Sequence, residues 1–366
     1  MAKEYPLLCE SDSRETGRLR GQALKLGAVV GMRDDPEAFG KHLRKLEDVG
    51  VEYLWAGEAY TADAVSTMGF IAAVTSRAQI GSAILPLYTR TPALLAMTAV
   101  GLDRLSGGRF ILGIGASGPQ VVEGFHGVPY DAPLARTAEI IEICRSVWRR
   151  DRLVHAGAKY QIPLAEGRGT GLGKPLKLIT HPVRDRIPIY VASLGPKNVE
   201  LTAAAADGWL PLHYWPDRAP DVWGASLRAG LARRDPALGP LEIVADGPLA
   251  IGDDVEHLRE RARPMLAMYF GGMGARGKNF YNDVLRRYGF EREAAQIQDA
   301  YLSGDRKAAA ALVPADLVAG MSLIGSEGFV RDRIAAYQAS GVTILNVQPV
   351  GPNGLRDVET LAGWLG

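Results

Sequence analysis

The sequence predicts an α/β protein folded as a (β/α)8 TIM barrel, and three observations carry that expectation. Short apolar runs alternate with amphipathic stretches about eight times between Leu26 and the C-terminus, which are the two periodicities of buried strands and surface helices. The two kinds of segment follow one another in series, as parallel strands with crossover helices require. The 366 residues show no compositional break that would divide them, and barrels routinely use this much chain as one domain.

Taken in order, residues 1–25 are polar, lack a clear period and read as an N-terminal extension. The barrel then occupies 26–366. Strand-like runs at 26–31, 53–56, 79–84 and 110–115 are followed by helical patterns at 36–49, 62–74, 92–105 and 134–148. The second half repeats the arrangement, with strands at 187–192, 208–212, 243–251 and 343–348 and helices at 196–206, 217–234, 255–266 and 327–340, and a closing helix at 355–365. Two segments interrupt the rhythm: 149–186 after the fourth strand, rich in Gly and Pro, and 269–317 after the seventh, glycine-rich and then helical. Long insertions after barrel strands commonly build the active-site rim; decoration or a contact between copies is the other reading of the helical part.

Composition limits the function classes. Hydrophobic content of 47%, charged content of 23% and a net charge of +1 describe an ordinary globular chain and give no electrostatic reason to expect nucleic acid or an anionic membrane as partner. Cys9 and Cys144 are the two cysteines, and Cys144 shares an apolar helical stripe with Ile140, Ile141 and Val147. A buried free thiol in a reducing, cytoplasmic setting is the corresponding expectation. The N-terminus carries charges where a signal peptide needs its apolar core, and no run reaches the length of a membrane span.

Several chemistries fail on context. Gly113, Gly115 and Gly118 form a literal G-x-G-x-x-G after an apolar run, but a dinucleotide loop should open a helix at once. Here Pro119 and a polar, glycine-containing stretch to Pro133 delay the next strong helical pattern. The loop of Gly169, Gly171, Gly173 and Lys174 has Arg168 and Pro175 where a P-loop needs Gly and Ser/Thr. Six histidines without ligand spacing do not suggest a metal. Ser117 lacks the second glycine of a hydrolase elbow, since Pro119 stands there. The turn from Ser106 to Arg109 precedes a strand, so it lies at the bottom of the barrel and reads as scaffold. Gln120, Glu123 and His126 follow the fourth strand, and Tyr60, Tyr88 and His181 fall in other rim loops.

Four segments together, GVEYLWAGEAY (50–60), IGSAILPLYTRTP (80–92), LDRLSGGRFILGIGASGPQ (102–120) and PIYVASLGPKNVELTAAAADGW (188–209), resemble the luciferase-like flavin and deazaflavin oxidoreductases, and their order and wording resemble the coenzyme F420-dependent branch most. The resemblance implies a cofactor lying across the C-terminal ends of the strands. It implies a bulge after the third strand, with a non-prolyl cis peptide at Ala83–Ile84 backing the central ring of the cofactor. It assigns cofactor contacts, largely through backbone N–H groups, to Gly115, Ala116, Ser117, Gly118 and Gln120 and to Ser193, Leu194, Gly195, Pro196 and Lys197. Glycine permits close approach there, and Pro196 opens a helix whose free N–H donors suit a phosphate. Because F420 carries a phosphodiester and a polyglutamate tail, a cationic rim is expected, with Arg168, Lys174, Lys177, Lys197, Arg276 and Lys278 as candidates.

Glu58 ends the second strand, where the resemblance places a carboxylate near the reactive face of the cofactor. Two readings stand open there: a catalytic or cofactor-contacting acid, or the structural partner of a rim arginine such as Arg90. Several family members carry a histidine just after this acid, whereas this chain has Ala59. Glu123 is the second candidate acid or base. The function implied is an F420-dependent oxidoreductase that moves a hydride between C5 of the deazaflavin and a small organic substrate. An FMN-dependent luciferase-like monooxygenase is the alternative, and a cofactor-free scaffold is a third class. A homodimer through barrel helices is left open.

Overall fold

A computed structural model describes residues 24–365; the expected extension and Cys9 lie outside the described residues, apart from Leu24 and Lys25. Eight parallel strands close on themselves: β1 (Lys25–Val29), β2 (Tyr53–Ala56), β3 (Gln79–Ser82), β4 (Phe110–Gly115), β5 (Ile189–Ala192), β6 (Gly208–Trp209), β7 (Glu242–Ile251) and β8 (Ile344–Pro349), with β8 pairing back onto β1. Eight strands expected from the sequence are eight strands found. Two further short strands join the sheet, Leu85–Pro86 beside the end of β4 and Leu323–Gly325 beside the upper half of β7.

The strands sort their side chains by period 2. Leu26 and Ala28 of β1, and Ala245 and Leu345 of β7 and β8, face the helices in the main core. The opposite phase fills the barrel with Tyr53, Trp55, Ile111, Tyr190, Leu210, Val244 and Ile344. Trp55 is fully buried there and lies against Gly81, where a Cβ would come within 2.2 Å of the indole ring. A single large ring thus occupies space that smaller side chains share in other layers.

The outer helices are α1 (Pro36–Asp48), α2 (Ala64–Val74), α3 (Pro92–Leu105), α4 (Pro119–Gly124), α5 (Pro133–Trp148), α6 (Pro196–Ala205), α7 (Ala219–Leu231), α8 (Glu327–Ala339) and α9 (Leu355–Leu365). Their starts follow local chemistry. Asp35 caps α1 by accepting from the N–H groups of Glu37 and Ala38, Thr91 caps α3, and proline occupies the first turn of both. Phe39, Leu43 and Leu46 of α1 recur at helical spacing and are buried, each such side chain contributing about 1.5–3 kcal/mol of burial.

One expectation needs correction. A short helix, α4, does open directly at Pro119 after the glycine loop, because proline fixes the first helical φ and Gly118 tolerates the extended cap position. It runs only six residues, too short to give a periodic signal, and the long helix begins at Pro133. The first insertion contains a two-stranded hairpin, His155–Ala156 with Gln161–Ile162. The second contains helices Phe280–Arg287, Glu291–Leu302, Arg306–Ala311 and Ala315–Gly320. Cys144 is a buried free thiol, and burial pushes its pKa up to about 12. Among the described residues no helix is long and apolar enough to cross a membrane.

Candidate functional site

The loops after the strands gather at one mouth of the barrel. The bulge after β3 is pinned from both sides: Ala83 N–H donates to Ala56 O at 2.8 Å, Leu87 N–H to Gly115 O at 2.9 Å, and Ile84 O accepts from Glu58 N–H at 3.3 Å. The Ala83–Ile84 peptide is cis, and both side chains are half-buried at the top of the interior cluster. Gly115 and Gly57 make room for this bulge, since a Cβ on Gly115 would lie 3.0 Å from Ile84 Cγ1 and one on Gly57 2.9 Å from Ala83 O.

Beside it, two loops end in the same way. Gly118 precedes Pro119 of α4 and Gly195 precedes Pro196 of α6, each as an N-cap without a side-chain hydrogen bond. The strands that carry them, β4 and β5, are neighbours in the sheet. First-turn N–H groups left without side-chain acceptors, on adjacent strands, suit a negatively charged group. Ala116, Ser117 and Gly118 are half-buried, Ser117 has φ +58°, and Gln120 is exposed. In the second loop Gly195, Pro196 and Lys197 are exposed. Ser193 is buried with its hydroxyl 2.9 Å from that of Thr202, and its carbonyl accepts from Trp209 Nε1. Leu194 O accepts from Trp223 Nε1 and Arg287. These two carbonyls therefore hold the loop, which leaves N–H groups as its means of meeting a ligand.

Glu58 is tied down. Arg90 grips it with two parallel bonds, 2.5 and 2.9 Å, Ala64 N–H donates to Oε2 at 3.1 Å, and Arg90 also reaches Asp63 at 2.9 Å. Both partners are largely buried, with side-chain exposures of 14% and 9%, and the pairing raises the Arg90 pKa. The arginine partner that the sequence left as one of two readings is thus in place. Glu123 is exposed and accepts from Tyr130 N–H at 3.1 Å, so it fastens the loop after α4. Of the cationic candidates, Arg276 is paired with Asp299.

Beside the rim residues Tyr60 and His126, the structure brings in groups that the sequence reading passed over. His213, after β6, is packed edge-on against Tyr269 and Tyr281 of the second insertion, and burial lowers its pKa to about 3, so it is neutral. Its Nε2, and that of His126, are buried without a hydrogen-bond partner. Tyr60 and Phe125, from the loops after β2 and β4, meet as a tilted pair at 6.1 Å with 60% and 66% of their surfaces open. Deeper in the mouth, Asp246 of β7 and Asn346 of β8 face inward from a phase otherwise filled by apolar side chains. A charged residue at the inward phase of a strand reading IVADGPLAI was the available signal for Asp246.

The opposite, N-terminal end holds a cavity of about 950 Å³ lined by Lys25, Tyr190, Glu242 and others. Its polar groups already satisfy one another: Lys25 Nζ meets Glu242 at 2.9 Å and Tyr53 OH at 3.2 Å, and Tyr190 OH bonds Glu242. The unpartnered atoms of His126, His213 and Asn346, the clearances at Gly57 and Gly115 and the converging loops lie at the other end, where barrel chemistry resides.

Comparison with known proteins agrees with this fold. The family model described as luciferase-like monooxygenase matches residues 16–343. A Mycobacterium tuberculosis protein named "putative coenzyme F420-dependent oxidoreductase" is 39% identical over 343 residues, covering 92% of this chain and 99% of its own length. A 5,10-methylenetetrahydromethanopterin reductase of Archaeoglobus fulgidus is 27% identical over 328 residues, covering 87% and 92%. Among solved structures, the coenzyme F420-dependent tetrahydromethanopterin reductase of Methanopyrus kandleri superposes with a TM-score of 0.75 at 22% identity, covering 93% and 97%. At that identity the likeness is one of fold.

Proposed function

The chain belongs to the luciferase-like monooxygenase family, and on that premise we propose that it is a cytoplasmic F420-dependent oxidoreductase that moves a hydride between C5 of the deazaflavin and a small organic substrate. The observation that carries the reading is the pair of glycine–proline helix starts on β4 and β5, set beside the bulge at Ala83 and Ile84. The residues present fit the cofactor. A flat ring backed by the bulge would sit over Ala83, Ile84 and Gly115, while N–H groups of 116–118 and of Leu194, Gly195 and Lys197 would meet its phosphate-bearing chain.

When bound, the deazaflavin supplies a two-electron hydride donor or acceptor. The protein then has to orient it, exclude water and manage one proton. Orientation falls to the two loops and to Lys197. Tyr60, Phe125, Tyr269 and Tyr281 supply aromatic walls that would shield the ring. Glu58 acts as a positioning residue: locked to Arg90 and the N-terminus of α2, it fixes the loop after β2 against the bulge through its own N–H. Glu123 serves the same purpose for the loop after α4.

An FMN-dependent monooxygenase is the second reading, favoured by the description of the family. Fluorescence titration of the purified protein with F420 and, separately, with FMN distinguishes them. Saturable F420 binding with no comparable FMN affinity is expected; tight FMN binding with no F420 binding overturns the proposal.

A further inference from the structure

The floor of the mouth carries polar groups that this reading leaves unused. Asp246, Asn346 and Gly27 stand in register across β7, β8 and β1, so they form one inward-facing row. Asn346 Nδ2 donates to Asp246 Oδ1 at 2.8 Å. Among the described residues no Lys or Arg forms a salt bridge with Asp246. The carboxyl is closely surrounded by protein atoms yet keeps part of its surface open, as a group on the floor of a pit does.

The neighbours of this row are arranged around a missing side chain. Asn346 Oδ1 and Trp55 Nε1 are buried and have no partner. Both flank Gly27, where a Cβ would fall 2.1 Å from the amide oxygen and 3.2 Å from the indole nitrogen. A carboxyl, an amide oxygen and an indole N–H are thus held together without a cation, in a place where burying polar groups costs free energy unless they have a use.

We propose that Asp246, presented by Asn346, is the acid of this pocket, the group that holds the proton passed to a carbonyl oxygen or imine nitrogen of the substrate. The inference rests on the oxidoreductase reading above. In the reducing direction a bound reduced deazaflavin would supply the hydride of the new C–H bond, which leaves the substrate's π pair on the heteroatom. The O–H bond of Asp246 breaks as its proton joins that heteroatom, the carboxylate is left on Asn346 Nδ2, and solvent entering the mouth restores the proton.

Burial pushes the Asp246 carboxyl up to about 6, against the hydrogen bond from Asn346 that lowers it. Its charge reaches two other titratable groups, Tyr269 from the second insertion and Tyr337 of α8, whose hydroxyl is bonded to Met321 O. Burial first, with the Asp246 charge adding, raises both phenols above their ordinary value. They keep their protons through neutral pH, so the carboxyl is the member of the group that changes charge.

The test uses the full chain with 13C-carboxyl-labelled aspartate, compared with Asp246→Asn, by NMR across pH and with or without saturating oxidised F420. Expected is one resonance, absent from D246N, that titrates near pH 6 and shifts its midpoint by at least about half a unit when F420 binds. Asn346→Ala should raise the midpoint further, because the carboxylate loses its donor; a merely structural asparagine would not move it. A midpoint in the ordinary aspartate range, or one indifferent to bound F420, overturns the proposal. Failure of the wild type to bind F420, read by fluorescence on the same samples, overturns the functional reading instead.

Discussion

The two ends of the barrel handle polar groups in opposite ways. At the N-terminal end the buried charges of the described residues are answered: Asp103, fully buried, is gripped by Arg184 and the Phe110 N–H, and Arg109 donates to Thr75, Ala78 and Ser106. Glu47 accepts from three successive backbone N–H groups, those of Ser76, Arg77 and Ala78. At the C-terminal end Trp55, His126, His213 and Asn346 each keep an unpartnered buried atom, and two helices begin without side-chain caps. A satisfied polar network contributes stability, whereas unsatisfied groups persist where a ligand completes them. The contrast therefore divides scaffold from site inside a single repeating architecture.

Substitutions at the two ends should separate in what they damage. The largest effect is expected at the bottom: Asp103→Ala leaves Arg184 without its carboxylate and should cost about 3–5 kcal/mol in urea unfolding, with F420 affinity per folded molecule unchanged. A matching loss of affinity would break the division. Glu58→Gln sharpens it, because this residue belongs to the top yet is bonded like the bottom. We expect a stability loss of about 2 kcal/mol together with weaker F420 binding; a stability loss alone would class Glu58 with the scaffold.

Glu47 offers a pH test at the bottom. Burial would raise its carboxyl, but the N–H donors of Ala78, Arg77 and Ser76 outweigh burial and hold it below the usual range. Its contribution is present above the unfolded carboxylate value of about 4.3 and is lost as pH falls through the lower folded value. Glu47→Gln should then cost about 1.5 kcal/mol at pH 7 and progressively less towards pH 3, by urea unfolding at each pH. A constant difference would contradict the assignment. The smallest effect is expected at exposed Lys197: Lys197→Ala should weaken F420 binding by about 0.5 kcal/mol, near twofold, more so at low salt, with unchanged melting temperature.

The same contrast explains what the sequence disclosed. The scaffold is written in local patterns: Pro92–Leu105 is helical between its own cap and the Ser106 turn, and strands such as Phe110–Gly115 are short apolar runs buried on both faces. The cofactor loops are legible because glycine and proline signal backbone geometry directly. What stayed open or escaped lies in long-range pairing. Arg90, one of two readings for Glu58, is 32 residues from it, and Asn346, which escaped, is 100 residues from Asp246, so neither pair leaves a local pattern. α4 escaped because six residues are too few for periodicity, and His213 because its aromatic surroundings arrive from the insertion beyond β7.

Hydrogen exchange of the full chain with and without F420 tests the central claim most directly, because it reports on both ends at once. The account expects protection at 115–120 and 193–198 in the C-terminal mouth, with no change around Lys25, Glu52 and Glu242. Protection confined to the cavity at the N-terminal end, with the two glycine–proline loops unaffected, would contradict it.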